Sequence, residues 1–175
     1  MARVFITGSS DGLGLMAAQL LIEQGHQVVL HGRNEARSRD ALAAAAGAQA
    51  VVTGDLSMIA GTIAVADQVN KLGRFDAVIH NAGIGYREKR VEMEPGVPSV
   101  FAVNVLAPYI LTALIDKPKR LVYVSSGMHC GRAAPHGRSA VDQATLERLV
   151  GLRGEQAMRC LARICRRPSL ERRQL

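Results

Sequence analysis

No tryptophan occurs in this chain, and aromatic residues make up only 3% of its 175 positions. A surface that stacks the bases of single-stranded nucleic acid needs aromatic rings set among cations, so that function class has little to stand on. Cysteine is nearly as scarce. The three present, Cys130, Cys160 and Cys165, all fall in the last third of the chain and match no zinc spacing. Neither a metal centre nor a disulfide framework is expected. No apolar run approaches the roughly 20 residues that cross a bilayer. The N-terminus starts directly on a strand-like run instead of a charged and then apolar leader, so no membrane segment and a cytoplasmic location are expected. Lysine ends at Lys119, whereas arginine continues towards the C-terminus.

What is present is unevenly distributed. The formal net charge is +7. Residues 1–126 hold 12 Lys and Arg against 11 Asp and Glu, while residues 127–175 hold 10 arginines against 4 acidic residues. The excess therefore belongs to one end. Such an end suits an acidic partner, but no aromatic residue interleaves with its arginines, and a nucleic-acid partner is not expected.

The first 126 residues alternate between two periods. RVFIT (Arg3–Thr7) is a short β-branched run, followed by glycine-rich punctuation and a helical period over 13–25. There Leu13, Met16, Ala17, Leu20 and Leu21 recur at helical spacing, and Gly25 is placed to end the helix in a left-handed turn. A second strand over 26–32 leads to a second helix over 34–47, opened by an Asn34 cap. A third strand over 48–56 and a third helix over 57–73, capped by Ser57, come next. A fourth strand (75–83), a fourth helix (98–115) that Pro108 should kink, and a fifth strand (119–126) complete the pattern. Continuous apolar strands alternating with helices predict a parallel sheet covered on both faces, an α/β doubly wound fold. From Gly127 the strand period disappears. Residues 127–175 read as an arginine-rich tail with at most one amphipathic helix around Leu146, Leu149 and Val150, weakened by Gly151 and Gly154.

TGSSDGLG (Thr7–Gly14) lies between the first strand and the first helix. Glycine there lets the backbone turn sharply and approach a pyrophosphate, while the helix N-terminus offers unpaired N–H groups and the positive end of its dipole. The spacing is T-G-x-x-x-G-x-G, and here the chain resembles the short-chain dehydrogenase/reductase family. Further stations follow in family order: Gly54–Asp55–Leu56 after the third strand, Asn81–Ala82–Gly83 after the fourth, Asn104 in NVLAPY and Ser126 in VYVSS. The resemblance implies a Rossmann-like, NAD(P)-binding domain over 1–126. In it Thr7, Gly8, Ser10, Gly12, Leu13 and Gly14 form the phosphate loop, Asp55 and Leu56 meet the adenine, and Asn81, Ala82 and Gly83 line the cofactor. Asn104 and Ser126 would be its catalytic positions, acting on a small-molecule carbonyl or alcohol. Each residue also has a plainer reading: Asp55 as a turn former, Asn81 likewise, Asn104 as a buried helix amide, Ser126 as a strand-end serine.

The second strand ends in Gly32 and Arg33 where a carboxylate would hold the ribose hydroxyl of NAD. A guanidinium takes a 2′-phosphate with two parallel hydrogen bonds, so NADP(H) is favoured over NAD(H).

One station is missing. In the family a tyrosine exchanges the proton and a lysine one helical turn on lowers its pKa, as Y-x-x-x-K. Tyr86, Tyr109 and Tyr123 all precede Ser126, and no lysine follows Lys119. The C-terminal strands of the fold are then missing as well, which leaves the fifth strand with an open edge and makes a homo-oligomer possible. Allowed codons for Gly151–Ala157, read one nucleotide forward, spell A-Y-A-E-S-K-L, a Y-x-x-x-K in the expected region. We therefore take the tail as out-of-frame text, the rival being a genuine divergent C-terminus. Function follows two lines: an oxidoreductase by family that is inactive as written, or a non-catalytic NADP(H)-binding regulator.

Overall fold

The computed structural model describes residues 1–85, 92–94 and 97–125. All of them lie in the first of two units, Met1–Gly137. Strands and helices alternate as β1 (Arg3–Ile6), α1 (Gly12–Glu23), β2 (Gln27–Gly32), α2 (Glu35–Ala44), β3 (Ala50–Thr53), α3 (Ile59–Lys71) and β4 (Ala77–His80). A short antiparallel pair, β5 (Glu92–Glu94) and β6 (Val97–Pro98), precedes a helical run. That run comprises α4 (Ser99–Phe101), a π-helical stretch (Ala102–Leu106) and α5 (Ala107–Leu114), and it leads into β7 (Arg120–Tyr123).

Among the described residues the main sheet has the order β3-β2-β1-β4-β7, every pairing parallel. Apolar residues alternate across it because successive strand side chains point to opposite faces. Val4, Ile6, Val28 and Leu30 pack with Ala18 and Ala41 beneath α1 and α2, while Phe5, Val29, Val52 and Val78 pack with Val65, Val69 and Leu111 beneath α3 and α5. This is the expected doubly wound, Rossmann-like arrangement with helices on both faces. The tail at 127–175 and its suggested helix lie outside the described residues. Strand β7 is exposed along its whole length, with Leu121, Val122 and Tyr123 all more than 40% accessible.

Two helix ends follow from their residues. Asn34 Oδ1 accepts from Arg37 N at 3.0 Å, capping α2. Gly25, at φ +79°, closes α1: its N–H bonds Ile22 O while His26 N bonds Leu21 O. That paired pattern needs a left-handed residue, which glycine supplies without strain.

Three expectations need correction. Leu13, Met16 and Leu20 are not the buried stripe of α1; they are 72%, 63% and 54% exposed. The inward face is Gly14, Ala18 and the neighbouring Leu21 and Ile22, because small residues let the helix lie close to the sheet. Ser57 does not cap the third helix. Its N–H and Oγ–H both bond Asp55 Oδ1, at 2.9 and 2.7 Å, and α3 begins two residues later with Met58 as an N-cap that makes no side-chain capping bond. The helix expected over 98–115 is not one uniform helix but α4, the π-helical stretch and α5, with Pro108 in the first turn of α5, where its missing N–H falls directly after a widened turn.

The same helix joins a polar cluster at the exposed edge of the sheet, in which only His80 is buried. Thr112 Oγ1–H donates to Pro108 O, which leaves its lone pairs to accept from Tyr123 O–H at 2.7 Å and His80 Nε2–H at 3.2 Å. The His80 ring stacks on Tyr123 and its Nδ1 has no partner among the described residues. Burial pushes His80 down from 6.5 to about 4. The folded state thus holds the ring neutral, and unfolding returns it to its ordinary value. Its stabilising contribution is complete above pH 6.5 and is lost as pH falls towards about 4. The slope from one such group is about 1.4 kcal/mol per pH unit in that window. His80→Phe keeps the stacking and removes the proton site, so melting temperature followed from neutral pH downwards should fall less steeply than in the parent. Identical slopes would remove His80 from the account.

Candidate cofactor site

The chain winds from β1 to β2 and β3 on one side and then returns to β4 on the other. A crevice opens where the order reverses, at the carboxyl ends of the strands, which is where open α/β sheets hold ligands. A cleft of about 570 Å³ lies there, within the range typical of small-molecule pockets. The loops after β1, β2, β3 and β4 all contribute to its wall.

The phosphate loop supplies Gly8, Ser10, Gly12, Leu13 and Gly14. Thr7 stands behind the wall: buried, its Oγ1 accepts from Asn81 N and Ala82 N, both at 3.0 Å. Asn81 Nδ2 returns two bonds, to Thr7 O at 3.1 Å and Gly8 O at 2.9 Å. Four hydrogen bonds thus fix the phosphate loop against the loop that carries Asn81, Ala82 and Gly83. Gly8 holds φ +62°, and a Cβ there would sit 2.8 Å from Ala82 Cα. Glycine is required both for the turn and for the close approach.

From the loop after β3, Asp55 and Leu56 line the cleft with Ser57. Asp55 is held in a tight turn by Ser57, and Leu56 is also part of the core. Arg33 lies just beyond β2, exposed and lining the cleft; among the described residues no carboxylate pairs with it. Arg37, one turn into α2, lines the same wall and pairs with Asp11 of the phosphate loop at 3.2 Å, both side chains largely exposed.

Asn104 lies in the π-helical stretch and is not among the residues lining the cleft, although Val103 and Ser99 are. Its amide is spent on one neighbour: Oδ1 accepts from Ile84 N at 2.9 Å and Nδ2 donates to Ile84 O at 3.0 Å. It therefore braces the backbone that follows Asn81–Gly83. Ser126 lies outside the described residues.

Sequence reasoning missed Arg37, Asp11 and His31 as wall residues. Arg37 follows Arg33 at i+4, and the Asn34 cap already implied a helix there, so helical spacing was a usable signal. His31 hid inside an apolar strand. Among the described residues no cluster of three or more His, Cys, Asp or Glu is arranged to hold a metal, and no helix is long and apolar enough to cross a membrane.

A glycine-lined turn over a helix N-terminus, at the switch point of a parallel sheet, defines a nucleotide-binding domain of Rossmann type. The chain belongs to the short chain dehydrogenase family, whose model matches residues 2–127. It is 58% identical over 134 residues to an uncharacterized oxidoreductase of Emericella nidulans, covering 75% of this chain and 52% of that protein. Among solved structures it is similar to a short-chain dehydrogenase from Sphingobium yanoikuyae in complex with NADPH: TM-score 0.53, 26% identity, covering 66% of this chain and 47% of that one. It is also similar to a 3-ketoacyl-(acyl-carrier-protein) reductase from Brucella melitensis complexed with NADH: TM-score 0.51, 28% identity, covering 64% and 47%. The chain spans about half the length of the curated relatives it matches.

The residues present fit a nicotinamide dinucleotide. The loop backbone at Gly8 leaves no room for a Cβ, α1 carries no acidic residue in its first turn, and its N-terminal residues Gly12, Leu13 and Gly14 face the cleft. Those are the conditions for receiving a pyrophosphate on backbone N–H groups.

Proposed function

We propose that this chain binds NADP(H) in the cleft in preference to NAD(H), as the nucleotide half of an oxidoreductase acting on a small carbonyl or alcohol in the cytoplasm. When bound, the nicotinamide supplies a hydride donor or acceptor. The chain's own residues do the rest. Ser10, Gly12, Leu13 and Gly14 receive the pyrophosphate, Asp55 and Leu56 flank the adenine, and Asn81, Ala82 and Gly83 line the nicotinamide side. Thr7 holds the two loops in register, and Asn104 braces the loop through Ile84. Ser126 would polarise the substrate oxygen.

The observation that carries the NADP(H) preference is the pair of arginines at the tip of β2 and the first turn of α2. Solved relatives hold NADPH in one case and NADH in another, so the family accommodates both, and discrimination falls on this wall. A charge-assisted, two-bond contact contributes about 1.5–3 kcal/mol, or roughly tenfold to a hundredfold in affinity. By calorimetry NADP(H) should bind at least roughly tenfold more tightly than NAD(H), and Arg33→Asp should reverse the order. Equal affinities in the parent chain would defeat the preference.

A second reading is favoured by one sequence fact. No Y-x-x-x-K follows Ser126 in the 175 residues, so the polypeptide as written lacks a tyrosine–lysine proton relay. It would then hold the cofactor without turning it over, as a regulatory binding protein does.

A further inference from the structure

Among the described residues His31 is the one buried ionisable side chain on the cleft wall, and the proton relay of the proposed reaction has no use for it. Only 4% exposed, it is the penultimate residue of β2 and meets two separate segments, the phosphate loop at Gly8 and Ser9 and the loop after β3 at Gly54. Its Nδ1 accepts from Gly8 N at 3.0 Å and its Nε2 faces Gly54 O at 2.9 Å. Its backbone is tied in turn to Ser9: His31 N donates to Ser9 Oγ at 2.8 Å, and Ser9 N donates to His31 O at 3.2 Å. One ring therefore spans from the phosphate loop, at the residue whose left-handed backbone makes the turn, to the segment carrying Asp55.

The partners leave the ring one state. A backbone N–H demands a lone pair at Nδ1 and a carbonyl demands a hydrogen at Nε2, so only the neutral Nε2–H tautomer satisfies both. Adding a proton at Nδ1 would set two donors against each other across 3.0 Å. Burial lowers the His31 pKa, against smaller raising effects of the Gly54 bond and the Asp55 charge. The other charged groups on this wall are Asp11 of the phosphate loop, and Arg33 and Arg37 beyond β2. The two arginines oppose a third positive charge and the two carboxylates favour it.

We propose that His31 is a positioning residue for the cofactor cleft, whose neutral ring locks the phosphate loop to the Asp55 segment and whose protonation releases that lock. It rests on the reading of the cleft as a dinucleotide site. The direction is fixed: the lock is closed at neutral pH and opens as pH falls. Acid thus weakens cofactor binding.

The test uses the full chain and NADP⁺, titrated by calorimetry from about pH 7.5 down to the pH at which the ¹⁵N shifts of the His31 ring show it protonated. His31→Gln keeps an acceptor and a donor on a side chain that does not titrate; His31→Leu keeps neither. At neutral pH the glutamine variant should bind close to the parent and the leucine variant roughly fivefold to tenfold more weakly, the loss of one or two hydrogen bonds. On acidification the parent should lose roughly fivefold more affinity than the glutamine variant. The 2′-phosphate titrates in the same range, and because it is common to both proteins the comparison cancels it. Binding with the same pH profile in parent and glutamine variant overturns the inference alone. No binding by the parent at any pH overturns it together with the dinucleotide reading. Should neither variant fold, the ¹⁵N shifts of the His31 ring in the parent decide: a protonated Nδ1 at neutral pH, or a ring titrating like a free histidine, overturns the proposal.

Discussion

Gly14→Ala is expected to abolish measurable cofactor binding and to lower the melting temperature by about 10 °C. Gly14 opens the inward face of α1, buried against the loops after β1 and β4. A Cβ there would land on the carbonyl oxygen of Gly8 and on the side-chain nitrogen of Asn81. Those two atoms are bonded to each other at 2.9 Å, and Asn81 is also bonded to Thr7 O, so neither can retreat without breaking the bracket between the two loops. Overpacking a rigid site costs about 1–3 kcal/mol, and each hydrogen bond lost adds about 1 kcal/mol. The N-terminus of α1 must also withdraw from the crevice, taking with it the N–H groups that would meet the pyrophosphate. Gly85→Ala is the control, because a Cβ there meets nothing within 4 Å and the backbone is not left-handed. Thermal melts and quenching of NADPH fluorescence would check both. A Gly14→Ala chain that melts and binds like the Gly85→Ala chain would show that the two loops are not held as described.

That bracket illustrates what was legible beforehand. The stations Thr7–Gly14, Asp55, Asn81–Gly83 and Arg33 are widely separated in sequence, yet each follows an apolar strand. In a parallel sheet all strand ends of one polarity lie on one edge, so alternation alone predicts that they meet. Caps at Asn34 and Gly25 were legible for a similar reason, since each rests on one residue's own backbone chemistry. The buried face of α1 was not. Leu13, Met16 and Leu20 satisfy helical spacing as well as Gly14, Ala18 and Leu21 do, and the choice between them depends on how closely the helix approaches the sheet. Hydrophobicity does not encode that distance, whereas the small side chains of Gly14 and Ala18 do. Ser57 was misread because Asp55, two residues earlier, competes for its hydroxyl. His31 escaped because strand alternation reports which face a residue occupies and not which loops lie above it.

The 175-residue polypeptide itself is expected to show little or no reductase turnover with NADPH. The argument lies in proton bookkeeping. Hydride delivered to a carbonyl carbon leaves an alkoxide, and some group must give it a proton in the same transition state. Tyr123 is committed elsewhere, its hydroxyl bonded to Thr112 at 2.7 Å and its ring stacked on His80. Tyr109 belongs to α5, in a helix that packs on the far side of the sheet from α1. Positioned acid–base catalysis typically contributes about 10²- to 10⁴-fold, and its loss alone would take a modest reductase below detection. If the tail is out-of-frame text, shifting the reading frame between Gly127 and Ala140 should restore tyrosine, lysine and turnover together. In that corrected protein Ser126→Ala should then remove most of the rate, while cofactor affinity should stay within about twofold because serine acts on the substrate oxygen. Full turnover by the uncorrected chain with Tyr86, Tyr109 and Tyr123 each replaced by Phe would defeat this account. It would point to a different proton donor, for which His129, three residues beyond Ser126, is the candidate to mutate next.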